Sequence, residues 1–165
     1  MIATIAAAWE PLLKKAVLIQ CGGNWDEIYW NSAIRVIFRG SFINRENIKR
    51  EAARQFYSVH SGFLEKYKKI NPEEIDLELS CCPELSSYPQ KTWFLSDPLT
   101  FAHKINPDRA LMINSKYDLM FCRKSTELLH DEMGKPQIYW LNGFHSTRIL
   151  RRDAVLKIIF DFIDK

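Results

Sequence analysis

The sequence predicts an α/β fold in which a short parallel sheet carries flanking helices, and three observations predict it. Lys15-Ala-Val-Leu-Ile-Gln20 is an apolar run without polar alternation, the pattern of a strand covered on both faces as in parallel sheets. Two further runs of strand length, Ala110-Leu-Met-Ile-Asn114 and Gln137-Ile-Tyr-Trp-Leu141, each lead into a loop. Helical patterns separate and follow these runs. The order strand, helices, strand, helix, strand, helix implies parallel pairing through right-handed crossovers.

Each element has its own local reason. Met1 to Trp9 is a short helix of small and apolar residues, stopped near Pro11. After the first strand, Cys21-Gly-Gly-Asn24 is a turn. From Trp25 to about Ser96 the pattern is helical and irregular, and the stretch is too long for a plain connection. Within it, Asp26 to Phe38 and Asn44 to about Lys69 carry apolar residues at helical spacing. Asn71-Pro72-Glu73-Glu74 supplies an N-cap, a proline at the first helical position and acids in the first turn. A separate layer of three or more helices is therefore expected over 25–96. Ser96-Asp97-Pro98 opens a short helix through His103, and Asn106-Pro107 resets the chain into the strand at Ala110. Ser125 to Met133 forms a helix that Gly134 ends, before Lys135-Pro136 leads into the third strand. The last helix, about Arg152 to Ile163, presents Ala154, Val155, Ile158, Ile159 and Phe162 on one face.

Composition narrows the functional classes. The chain has 165 residues, 47% of them hydrophobic and 13% aromatic, enough for one sizeable core and one domain. Lys and Arg exceed Asp and Glu by three, and the basic residues fall in scattered pairs, so no nucleic-acid stripe is present. No basic residue precedes the apolar opening and Glu10-Pro11 closes it, so neither an export signal nor a membrane span is read. Cysteines 21, 81, 82 and 122 lack the C-x-x-C spacing, and the adjacent pair disfavours a disulfide; reduced thiols and a cytoplasmic location are expected. Histidines 60, 103 and 130 have no second ligand three or four residues on, and no metal site is expected.

Two residues carry candidate chemistry. Asp118 lies in the loop after the run at Ala110, in Ser115-Lys-Tyr-Asp118. His145 lies in the loop after the run at Gln137, in Asn142-Gly-Phe-His145. An acid and then a histidine, each following a strand, is the chain order of a Ser…Asp…His hydrolase. Taken singly, Asp118 also suits a turn or a helix cap, and His145 an ordinary loop.

Val17-Leu-Ile-Gln-Cys-Gly-Gly23, Asp97-Pro-Leu-Thr-Phe-Ala102, the segment Ala110 to Asp118 and Leu141-Asn-Gly-Phe-His145 together resemble the C-terminal half of an α/β-hydrolase, nearest to the dienelactone hydrolase and acetyl esterase branch. The resemblance covers the whole chain, most closely from Asp97 onward. It implies that Met1 to Trp9 is the helix after the nucleophile elbow, Lys15 to Gln20 the sixth strand, and 25–96 a helical lid. The chain is then a partial α/β-hydrolase domain over 1–165. One departure stands out: Asn114-Ser115 occupies a turn where the family often has glycine, which bears on the placement of Asp118.

By this resemblance Asp118 is the catalytic acid and His145 the base of a serine hydrolase acting on a carboxylic ester or related acyl bond of a small molecule, without a cofactor. Glycines 22, 23, 40, 62, 134 and 143 include no pair spaced four apart, so no G-x-S-x-G elbow is present, and the oxyanion loop is missing with it. Ser32, Ser41, Ser58 and Ser61 fall in the lid region without a strand-turn-helix around them, and Cys21 is read as a buried structural thiol. Losing one triad member typically forfeits a factor of about 10⁴ to 10⁶ in rate. The chain alone is expected to be close to inactive, with an inert truncated product and a non-catalytic binding or assembly module as the alternatives. Trp25, Tyr29, Trp30, Tyr88 and Trp93 either line an acyl or aryl pocket or form lid core. Without preceding strands, Lys15 to Gln20 is a bare sheet edge, for which self-association is expected.

Overall fold

The computed structural model describes residues 2–33 and 96–164. The helices expected within 44–74, the aromatic residues Tyr88 and Trp93, Cys81, Cys82, His60 and most of the lid at 25–96 lie outside the described residues.

Three parallel strands form the sheet: β1 (Ala16–Ile19), β2 (Ala110–Ser115) and β3 (Gln137–Leu141), in the order β1-β2-β3. Leu18 pairs with Met112 and Ile113 with Tyr139 in the two ladders. Alternation along a strand sends successive side chains to opposite faces, and each face has its own core. Leu18, Ala110 and Met112 point to one side, against Leu99, Ala102, Ile105, Leu129 and Met133. Leu111, Ile113 and Leu141 point to the other, against Val155 and Phe162, with Val17 and Ile19 packed beside them. Each fully buried aliphatic side chain of this kind contributes about 1.5–3 kcal/mol.

The first face is covered by α1 (Ile2–Trp9), α3 (Pro98–Ala102) and α4 (Arg123–Glu132); α2 (Trp25–Asn31) packs against α4. Trp9 meets Phe101 edge-on at 5.3 Å between ring centres, and the Lys104 ammonium sits 4.2 Å from the Trp9 ring centre. The other face is covered by α6 (Arg152–Ile163), which follows a one-turn helix, α5 (Thr147–Leu150).

β2 is buried at every residue, the polar Asn114 and Ser115 included, because it has a strand on each side and a core on each face. β1 departs from the expectation of burial on both faces: only Leu18 is fully buried, while Ala16, Val17 and Ile19 are half-buried. The reason is position, since among the described residues β1 has a neighbour on one side alone. It also stops at Ile19, because Gln20 takes a left-handed backbone (φ 50°) that turns the chain off the strand. The helix expected over Asp26 to Phe38 ends at Asn31, where Ser32 becomes extended.

Candidate functional site

Parallel strands place their C-terminal ends on one edge of the sheet, where open α/β sheets bind ligands. Gln20, Asp118 and His145 each follow one of the three strands and therefore meet at that edge.

The loop after β2 is tied to the loop after β3 before any side chain is considered. Lys116 N–H donates to the Leu141 carbonyl at 2.9 Å and Tyr117 N–H to the Gly143 carbonyl at 3.0 Å, prolonging the ladder beyond the strands. Gly143 is needed here because a Cβ would stand 2.0 Å from Thr147 Oγ1. The chain thereby turns tightly into α5 and delivers His145 above the end of β2.

Asp118 divides its carboxylate between two tasks. Oδ1 accepts the backbone N–H groups of Met120 at 2.7 Å and Phe121 at 3.0 Å, which is the turn-capping role the residue type suggests. Oδ2 receives Nδ1 of His145 at 2.8 Å. Every group facing the carboxylate is a donor, so Nδ1 carries the hydrogen and Nε2 is left as the basic nitrogen. The Asp118 side chain is 1% exposed and that of His145 29%. The acid is sealed and the imidazole remains reachable, with the Phe121 ring 6.1 Å from it.

Asn114 and Ser115, expected in the turn after the second strand, are instead the last two residues of β2, paired with Trp140 and Leu141, and Asn114 is buried in a polar knot. Its Nδ2 donates to the Cys21 carbonyl at 2.7 Å and to Thr126 Oγ1 at 3.0 Å, and Thr126 Oγ1 donates to the same carbonyl at 3.0 Å. The loop after β1 is fastened in this way to β2 and α4. At its other end Asp97 caps α3 through Leu99 N–H at 2.9 Å and also accepts Asn24 N–H and Trp25 N–H, both at 3.0 Å. Between these anchors Gly22 and Gly23 let the backbone lie against Ser125 and Leu99, where a Cβ would come within 2.2 and 2.6 Å respectively.

Cys21 sits inside this packing. Burial pushes its thiol up to about 12 from an ordinary 9.0, so it is a poor nucleophile. Burial also raises the half-exposed Cys122. Trp25 is buried with its indole N–H on Ser96 Oγ at 3.1 Å. Ser32 is buried too.

The two candidate residues read from the sequence are thus hydrogen-bonded to each other across 27 positions. Gln20 was missed: its Nε2 donates to the carbonyl of His145 and, at 3.2 Å, to Ser115 Oγ. The one available signal is its place at the end of the first strand, as the other two strands of the sheet each lead into a candidate residue. Among the described residues no three His, Cys, Asp or Glu side chains converge as a metal set, and no helix is long and apolar enough to cross a membrane.

No family model matches the chain. Over 112 residues, 68% of this chain and 90% of the relative, it is 30% identical to the uncharacterized protein YdjC of Bacillus subtilis (strain 168). Its structure is similar to the crystal structure of the enol-lactonase from Burkholderia xenovorans LB400, with a TM-score of 0.52 and 15% identity. That match takes in 99% of this chain, which spans 61% of the length of the enol-lactonase chain. At such identity the likeness shows the fold, that of an α/β-hydrolase.

Proposed function

Since this chain belongs to the family of Bacillus subtilis YdjC and has the α/β-hydrolase fold, we propose that Asp118 and His145 are the acid and base of a serine-hydrolase-type site cleaving a carboxylic ester or related acyl bond. A lactone, the substrate type in the structural relative's name, is the cyclic member of that class. The observation that carries the reading is the 2.8 Å bond from His145 Nδ1 to a carboxylate whose other oxygen is already held by two backbone donors.

In the proposed reaction Nε2 of His145 takes the proton of a serine hydroxyl as its oxygen attacks the acyl carbon. The same proton then passes to the departing alcohol, leaving an acyl-enzyme that water cleaves by the reverse relay. Asp118 holds the productive tautomer and stabilises the imidazolium. The 165 residues contain no Gly-x-Ser-x-Gly, so in this reading the serine and the oxyanion donors come from polypeptide outside them.

The test uses a p-nitrophenyl acetate assay on this chain and on a version extended upstream in frame to include a Gly-x-Ser-x-Gly segment. The extended protein should turn over the ester, and Asp118→Asn or His145→Ala should each lower kcat by about 10⁴. This chain alone should stay near the buffer rate. Extended-protein activity indifferent to both substitutions would overturn the assignment.

A further inference from the structure

We propose that Gln20 is a positioning residue for His145, clamping the histidine loop so that the imidazole stays on Asp118; this rests on reading the pair as acid and base. Gln20 leaves the end of β1, yet its side chain crosses the end of β2 to reach the loop after β3, 125 positions away in sequence. The contact joins all three strand ends, because the same Nε2 also meets Ser115 Oγ at 3.2 Å.

Three observations converge on a role beyond filling space. First, the partner is the backbone carbonyl of His145 itself, so the bond fixes the residue that presents the imidazole. A carbonyl can only accept, which fixes the amide orientation with nitrogen toward it. Second, Gln20 is one of three described non-glycine residues with positive φ, at 50°. That conformation disfavours an L side chain and persists where surrounding contacts over-determine it. Third, Gln20 is 6% exposed and its Oε1 has no hydrogen-bond partner among the described residues. A buried amide that leaves one end unsatisfied is held there by what the other end does.

The Asp118 side of the pair is anchored independently, through Met120 and Phe121. Gln20 contributes the corresponding anchor on the histidine side, and its loss should loosen His145 while leaving Asp118 in place.

The readout is the far-downfield proton NMR resonance of the His145 Nδ1–H bonded to Asp118, identified by its loss in Asp118→Asn. In Gln20→Met, which keeps the length and removes the donor, that proton should exchange with water on the order of tenfold faster, the factor expected for one lost hydrogen bond. Ser115→Ala, which removes only the other acceptor, should leave it unchanged. A Gln20→Met protein that melts cooperatively and keeps the resonance and its exchange rate would overturn the proposal. If that variant does not fold, Gln20→Leu decides in the same way, since its side chain has no group to donate to the carbonyl. Because this readout needs no turnover, accelerated exchange alongside an ester assay that fails even in the extended protein would support the clamp while removing the hydrolase reading.

Discussion

At the residue scale, Asp118 shows why two readings of one side chain need not compete. As a turn cap it uses one carboxylate oxygen, and as the partner of His145 it uses the other. Cys21 gives the sharpest prediction that does not involve the candidate acid and base. Its thiol holds the proton until about pH 12 in the folded state, whereas the unfolded thiol releases it near 9.0. Between those values the unfolded chain binds fewer protons, so folding stability falls as pH rises, by up to about 1.4 kcal/mol per pH unit. Urea midpoints at alkaline pH should therefore decline more steeply for the natural chain than for Cys21→Ala. Equal slopes would mean that the thiol is not buried as described. Asp118 and His145 were legible in the sequence because each follows an apolar run by a few residues. Gln20 was not, since a polar residue closing a strand is commonplace and its partner is a backbone atom far along the chain.

At the scale of elements, legibility followed the strength of the local signal. β2 is legible because the unbroken apolar run Ala110 to Ile113 admits few alternatives, and α6 because its apolar stripe has helical period. α4 begins two residues before Ser125, where the sequence pattern starts: Cys122 precedes it and makes no side-chain cap bond, so nothing local marks Arg123 as the first residue. α5 leaves no trace in the sequence pattern, since one turn carries no periodicity. The end of α4 is marked unambiguously. Lys135 N–H reaches back to the His130 carbonyl at 2.9 Å and Gly134 N–H to the Asp131 carbonyl at 3.0 Å, the paired bonds of a Schellman motif. Gly134 has φ 76°, and a Cβ there would meet only Pro107 at ordinary contact distance. Gly134→Ala should then lose about 1 kcal/mol from backbone conformation alone, without repacking. Thermal melts would register this as a drop of about 2–4 °C; a larger drop would point to a clash.

At the scale of the molecule, the order β1-β2-β3 leaves a half-buried apolar strand at one side of the described sheet. Edges of this kind pair with other chains unless they are covered or charged. We expect the 165-residue protein to self-associate, and Val17→Lys to shift sedimentation profiles toward monomer; a natural chain that sediments as a monomer at high concentration would refute this. The parallel pairing of the three strands was foreseeable from the alternation of strands and helices. The half-burial of β1 was not, because a run of apolar residues does not reveal how many neighbours its strand will have. The same strand has another long-range tie. The Lys15 ammonium, just before β1, donates to the carbonyls of Phe162 and Ile163 at 2.8 Å each, 147 and 148 positions away. Those are the last carbonyls of α6, which a helix cannot satisfy by itself and which favour a cation. The stop signal of the final helix is thus written just ahead of the sheet's first strand, 147 positions upstream of Phe162: α6 grafted onto another scaffold, or recombined away from Lys15, travels without its own terminator.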